Sequence, residues 1–374
     1  MNIHNAGVPL LPDVAETLAT LDAIASQPTV PYHEGHALRA IRERLASIGV
    51  EACEDRYGQL HARLERGPAK RALVLVAHTD HPGFVVSEAR GREGRVRVSG
   101  GLHERCFGRP VDVLVHDDEG SPPIKAVIDE YASDLDVPNN SPGHARIRAE
   151  GALRAGQWAV LDLPGLEVHG EELRMRAADD LAGCALIVEA FRLLRTEERP
   201  FDVHAAFTRA EETGLFGARL IAEQALIPRE AYVVSIEASN ARFAPAGGGI
   251  VGRVGDLHNT FSNDAERYLR VAQERLALSG IPTQRRLLPG GTCEASAFVR
   301  LGWTATGIAL PNVNYHNDPE DGTFAPEIVR LLDVVSGIAL LAESAVAAGA
   351  DASESWWPSA KRVPDDIRAL LEKR

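Results

Sequence analysis

The adjacent glutamates Glu211 and Glu212, in the run Phe207-Thr208-Arg209-Ala210-Glu211-Glu212-Thr213-Gly214, are the most chemically demanding feature of the sequence. Two carboxylates side by side at the end of an apolar stretch repel each other and resist burial, so a cation or a shared proton must neutralise them. His78, Asp179, Glu237 and His316 occupy similar local settings and are the candidate partners. Together they predict a metal site in which one glutamate binds metal and the other moves protons. Two histidines with three carboxylates suit zinc or another divalent first-row ion, whereas an all-oxygen set would suit magnesium or calcium. A spare carboxylate able to bridge leaves room for a second ion, and a pair of ions can activate one water and polarise a carbonyl.

The elements that must position these residues appear as hydrophobic patterns. Asp13 is placed to cap a helix with Val14, Leu18, Leu21 and Ile24 on one face. Leu38, Ile41, Leu45 and Ile48 mark a second helix, which Gly49 stops. Continuous apolar runs at Leu73–Ala77, Val203–Phe207 and Ala231–Ile236 read as strands covered on both faces. Helical patterns at Leu181–Leu194, Phe216–Ala225, Ala265–Leu278 and Ile328–Ala347 alternate with them. This order predicts an α/β fold, a central mixed and mostly parallel sheet flanked by helices. His78 and Asp80 follow the first strand, Glu211 and Glu212 the second, and Glu237 the third. Asp179 and Asp180 precede a helix starting near Leu181, and His316 lies in the loop Asn312-Val313-Asn314-Tyr315-His316-Asn317. Strand ends at one sheet edge form a ligand crevice, so these residues can converge.

Between about Phe84 and Val168 the helical rhythm gives way to short β-like pieces punctuated by Gly, Pro, Asp and Asn. These predict a small barrel inserted as residues 84–168 into an α/β domain made of 1–83 and 169–374. The net charge of -13 argues against nucleic acid or an anionic membrane surface as a partner. No apolar stretch is read as a membrane span, and the N-terminus shows no signal-peptide pattern. Cys53, Cys106, Cys184 and Cys293 form no CxxC pair and read as reduced thiols of a cytoplasmic protein.

The motifs resemble those of the TET-type glutamyl and deblocking aminopeptidases, within the co-catalytic zinc exopeptidases. The resemblance rests on His78-Thr79-Asp80-His81-Pro82-Gly83-Phe84, Ala178-Asp179-Asp180, Glu211-Glu212-Thr213-Gly214, Arg253-Val254-Gly255-Asp256, Leu288-Pro289-Gly290-Gly291-Thr292 and His316. The insertion falls between His78 and Asp179, as in that family, and 79 positions from Glu237 to His316 are too few for the lid domain of dimeric carboxypeptidase-like relatives. The resemblance implies an aminopeptidase acting on short peptides with two divalent ions, zinc foremost and cobalt or manganese as alternatives. It implies His78, Asp179 and Glu237 on one ion, and Asp179, Glu212 and His316 on the other. Glu211 would be the general base, and Asp80 would hydrogen-bond His78 and fix its tautomer. It also implies a homo-oligomer, with the β-rich insertion supplying subunit contacts and restricting access. Glu237 stands where the family usually has Asp, Cys293 where it has an acid, and Leu181 where it has Arg. The last two departures point to the substrate pocket or its supports.

Other readings attach to the same residues. A hydrolase of a non-peptide amide or an N-acyl amino acid would use the same site. A non-catalytic scaffold would need none of these side chains. Asp179 and Asp180 also fit helix caps. His81, His103, His144 and His258 read as surface or pocket-lining, Cys184 as core, Cys293 as pocket lining, Gly247–Gly249 as a tight turn and Trp356-Trp357 as a packing anchor.

Overall fold

A computed structural model describes residues 9–133, 143–354 and 362–372, so the Trp356-Trp357 pair lies outside the described residues. The short strands β1 (Ala52–Glu54) and β2 (Leu60–Arg66) lead into β3 (Ala72–His78), the apolar run that ends on the first candidate ligand. Six strands follow: β4 (Gly83–Arg90), β5 (Glu93–Ser99), β6 (Val111–His116), β7 (Ile124–Ser133), β8 (Gly143–Ala149) and β9 (Trp158–Leu161). Beyond the small strands β10 (Glu167–His169) and β11 (Glu172–Met175) come β12 (Phe201–Thr208), β13 (Tyr232–Asn240), β14 (Val251–Gly255), β15 (Gln284–Leu287), β16 (Ala305–Asn312) and β17 (Glu327–Arg330). The helices are α1 (Val14–Ala25), α2 (Gly35–Ser47), α3 (Ala178–Arg195), α4 (Phe216–Gln224), α5 (Asn263–Leu278), α6 (Glu294–Arg300), α7 (Leu331–Gly349) and α8 (Asp365–Leu371).

The main sheet has eight strands in the order β1-β2-β12-β3-β13-β16-β14-β15. Its centre is parallel: β12, β3, β13 and β16 each run alongside their neighbour in one direction. The flanks are mixed, with β2 antiparallel to β12 and β14 antiparallel to β16. Burial on both faces explains why β3 reads as an unbroken apolar run. Leu73 and Leu75 point to one side with α1, α2, α3, α5 and α7, while Val74 and Val76 point to the other with α4 and α6. Asp13 caps α1 as expected, its carboxylate accepting from the Glu16 amide at 3.0 Å.

Strands β4 to β9 close into an antiparallel barrel in the order β4-β5-β8-β7-β6-β9. The alternation along β6 fills it: Val111, Val113 and Val115 point inward beside Val96, Ile128 and Ile147. Short β-like pieces punctuated by Gly, Pro, Asp and Asn marked this region as β-rich, and closure into a barrel protects its edges.

Three expectations about elements need correction. β13 runs on to Asn240, so Glu237 lies within a strand and not after it. The last long helix begins at Leu331, because Glu327–Arg330 pairs with β11 as a strand. That helix, Leu331–Gly349, is also long and apolar enough to cross a membrane by length and composition, contrary to expectation. Its apolarity has a simpler cause, since it is 83% buried against the sheet and α3.

The barrel meets the α/β domain at Trp158, which is wholly buried. His116 stacks on it at 5.1 Å between ring centroids and His33 at 5.7 Å, and its Nε1 donates to Asp118. Burial, reinforced by Arg176 and His36, pushes the His116 imidazole down to about 4. The folded chain therefore keeps His116 neutral while the unfolded chain takes up a proton below about pH 6.5. Stability from this group is complete above pH 6.5 and is lost as pH falls toward 4. Urea unfolding of His116→Gln should accordingly show a shallower loss of stability across that window than the parent, and parallel pH profiles would refute the assignment.

Candidate metal centre

The parallel register brings the candidate ligands to one edge. Thr208 of β12 pairs with His78 of β3, and the Thr79 amide donates to the Thr208 carbonyl at 2.9 Å. β12 therefore ends beside β3, and the turn beyond it carries Glu211 and Glu212 to the same place. On the other side, Ser235 of β13 pairs with Val76, which sets Glu237 level with His78.

Asp179 is the centre of the arrangement. Its Oδ1 lies 3.4 Å from His78 Nε2, and its Oδ2 lies 3.4 Å from His316 Nε2. Glu237 approaches His78 Nε2 at 3.7 Å, and Glu212 approaches His316 Nε2 at 3.4 Å. Two residue groups result that could each hold an ion, His78-Asp179-Glu237 and Asp179-Glu212-His316, with Asp179 common to both. Ligand atoms bound to one tetrahedral ion at about 2.0–2.1 Å are about 3.3 Å apart, close to these separations. His78 Nε2, His316 Nε2, Glu212 Oε1 and Glu237 Oε1 are all buried without a hydrogen-bond partner among the described residues. Orphaned buried atoms are costly, and these converge, so the donor set fits a pair of divalent ions. Glu211 also comes within ligand distance of His78 and Glu212.

Each ligand is held from behind. His78 Nδ1 donates to the Asp80 backbone carbonyl at 3.0 Å, while the Asp80 carboxylate stands off at 3.6 Å. The expected carboxylate contact is thus replaced by a carbonyl. The Asp80 carboxylate instead accepts from the Glu211 and Glu212 amides, both at 3.0 Å, and so fixes the turn carrying both glutamates. His316 Nδ1 donates to the carbonyl of Gly101, just beyond barrel strand β5, at 2.7 Å. Glu327 accepts from the Asp179 amide at 2.9 Å and the His316 amide at 2.8 Å. His316 at φ 57 and Asn317 at φ 60 are left-handed in succession, a conformation that costs about 1 kcal/mol or more at a non-glycine residue.

Electrostatics show what the site lacks. Desolvation and the charges of Glu237, Glu212 and Asp80 push the Glu211 carboxyl well above its usual range. Desolvation with Asp179, Asp80 and Glu237 does the same to Glu212. Burial would raise Asp179 as well, but the His316 and His78 imidazoles hold it below the carboxylate range. His78 and His316 are raised despite burial, because acids surround them. The cluster thus retains protons unless cations replace them.

A cavity of about 220 Å³ opens from these residues, lined by Glu237, His316, Arg253, Cys293 and Tyr315 among others. Arg253 is 3% exposed, and its Nε has no partner among the described residues. Cys293 lines the cavity as expected, its thiol pushed up to about 12 by burial. Leu181 does not reach it and belongs to the main core. His81 is neither on the surface nor in the pocket: it is buried behind the centre, between the Asp179 carbonyl and the Asn317 side chain. Asp179 and Asp180 make no side-chain cap, since non-helical backbone at both turns Asp179 toward the histidines. Glu327, Gly101 and Tyr315 were given no role by the sequence, and of these only Tyr315, adjacent to His316, carried a local signal.

A family model described as M42 glutamyl aminopeptidase matches residues 144–321. A protein of Acetivibrio thermocellus, provisionally named an aminopeptidase, is 25% identical over 332 residues, covering 84% of this chain and 94% of the relative. Among solved structures, an aminopeptidase of Desulfurococcus kamchatkensis superposes with a TM-score of 0.72 at 21% identity, covering 94% of this chain and 99% of that one. The TET aminopeptidase of a Thaumarchaeota archaeon gives a TM-score of 0.73 at 18% identity, over 88% and 96% of the two chains. The Pyrococcus horikoshii TET1 peptidase, described as assembling into a tetrahedron or a large octahedral shell, gives 0.71 at 22%, over 89% and 99%. The chain resembles the TET aminopeptidases in sequence motifs and in fold.

Removing the shared carboxylate should cost both groups at once. Elemental analysis of purified Asp179→Ala is expected to show loss of essentially all bound divalent metal, with folding intact by circular dichroism. Retention of half or more of the parent's metal would rule out a bridging Asp179.

Proposed function

We infer that the chain is a metal-dependent aminopeptidase that releases N-terminal residues from short peptides through a dinuclear site. The observation that carries this reading is the bridging position of Asp179, between the buried Nε2 atoms of two histidines, of which His316 lines the cavity. His78, Asp179 and Glu237 would hold one ion, and Asp179, Glu212 and His316 the other. Such ions supply Lewis-acid polarisation of a carbonyl and make a water nucleophilic at neutral pH. The nitrogen-containing donor set favours zinc, with cobalt and manganese as alternatives.

Glu211 is the general base in this reading. It takes the proton from the attacking water and returns it to the leaving amine, a role suited to a carboxyl held above its usual range. Asp80 positions it through the two amide bonds described above. Arg253 suggests the side chain preferred. A buried guanidinium without an ion pair is expensive, and a carboxylate entering the cavity would neutralise it by a charge-assisted bond. We therefore assign a preference for peptides beginning with Glu or Asp.

We place the enzyme in the cytoplasm as a homo-oligomer whose domain of residues 84–168 supplies contacts and restricts access. Four unpaired cysteines suit a reducing compartment, and the TET1 relative's assemblies support the oligomer.

Hydrolysis of aminoacyl, dipeptide and N-acyl substrates, with and without zinc, cobalt or manganese, tests the reading. Metal-dependent release of N-terminal residues is expected. Cleavage restricted to N-acyl substrates would shift the function to a deacylase, and no turnover with metal bound would leave a scaffold. Glu211→Gln should lower kcat by about 10²-fold to 10⁴-fold with unchanged metal content; full turnover would disprove the base. Arg253→Met should cut kcat/KM on glutamyl substrates by about 10²-fold while altering leucyl substrates by less than about threefold. Equal losses on both would show that Arg253 does not select the side chain.

A further inference from the structure

Tyr315 occupies a face of the metal centre that none of the roles above uses. Its ring lies flat on the His316 imidazole, 4.0 Å between centroids at 21°, and lines the cavity. His316 is itself fixed by the Gly101 carbonyl on one nitrogen and by the approach of Asp179 and Glu212 on the other. The phenol is therefore mounted on a rigid support. Its hydroxyl is near enough to Asp179, Glu212, Glu237 and Glu211 for all four to act on it electrostatically. Those four carboxylates belong to the centre, and Tyr315 lines the cavity beside it. Among the described residues none hydrogen-bonds to this hydroxyl, and a phenol keeps its proton at neutral pH. It is a donor without an acceptor, in the cavity that a substrate would enter. For attack, the scissile carbonyl has to come within about 3–3.5 Å of the water that Glu211 serves.

We propose that the Tyr315 hydroxyl donates a hydrogen bond to the carbonyl oxygen of the scissile amide as that oxygen becomes an oxyanion, which makes Tyr315 a catalytic residue. This rests on the aminopeptidase reading of the site. As water attacks, its oxygen bonds to the carbonyl carbon, its proton passes to Glu211, and the carbonyl π electrons move onto oxygen. Collapse restores the carbonyl and breaks the C–N bond, and the amine leaves with the proton from Glu211. Tyr315 keeps its own proton throughout, so no further reactant is needed. A donor whose acceptor gains charge during reaction stabilises the transition state more than the bound substrate.

The test is Tyr315→Phe, which keeps the ring and its stacking on His316. Relative to the parent, kcat on every substrate the parent cleaves should fall by about 10²-fold, with KM changed by less than about threefold. Competitive inhibition by a phosphonic acid analogue of the tetrahedral species should weaken by a similar factor. Inhibition by the free product amino acid and the metal content by elemental analysis should stay at the parent's values. An unchanged kcat overturns the proposal. So does a loss confined to KM or to acidic substrates, which would make Tyr315 part of the side-chain pocket beside Arg253. Loss of metal would reduce it to a support for His316. A parent protein that hydrolyses nothing with metal present would instead refute the function itself, a result read before any variant is compared.

Discussion

Carboxylate crowding at one sheet edge governs this structure. Asp80, Asp179, Glu211, Glu212 and Glu237 meet around two imidazoles, most of them shielded from water. Like charges at these distances either hold protons or require cations, and the fold supplies no lysine or arginine among the closest partners of Asp179 and Glu212. The surrounding polypeptide resists the repulsion by spending backbone donors. Asp80 is tied to two amides of the Glu211-Glu212 turn, and Glu327 to the amides of Asp179 and His316. These bonds fix backbone, which leaves the side-chain atoms of the centre free.

The barrel takes part in that restraint. Gly100, at φ +88, lies so near the centre that a Cβ would be 3.0 Å from Pro82 Cα and 3.2 Å from Glu212 Cβ. A side chain there would displace a candidate ligand, so glycine is required by both backbone and space. The next residue gives its carbonyl to His316, and Arg105 pairs with Asp318 in the loop that carries that histidine. One wall of the cavity therefore belongs to the inserted region. Trp158 of that region stacks on His33 of the α/β part, and the Gly101 carbonyl fixes His316.

Much of the arrangement was legible in the residues. Short β-like pieces between turn residues marked the barrel strands, and unbroken apolar runs marked β3, β12 and β13. The candidate ligands were found because histidines and paired carboxylates after apolar runs have few structural uses. Other parts were not legible. Glu237 was placed after a strand because strand ends cannot be read from an apolar run that polar functional residues interrupt. Leu181 pointed to the pocket through its departure from a family pattern, yet it packs in the core, because the helix turns that side away from the site.

Residue type and order thus determined the chemistry: two imidazoles and paired acids demand a cation whatever fold carries them. The tertiary structure decided how the demand is met. Only parallel pairing at matched register sets Thr208, His78 and Glu237 side by side, and only the bend at Asp179 directs its two oxygens to different histidines. Glu327 and Gly101 gain their places from contacts between segments remote in sequence. Local patterns report what a residue prefers; they hold no record of what approaches it from elsewhere in the chain.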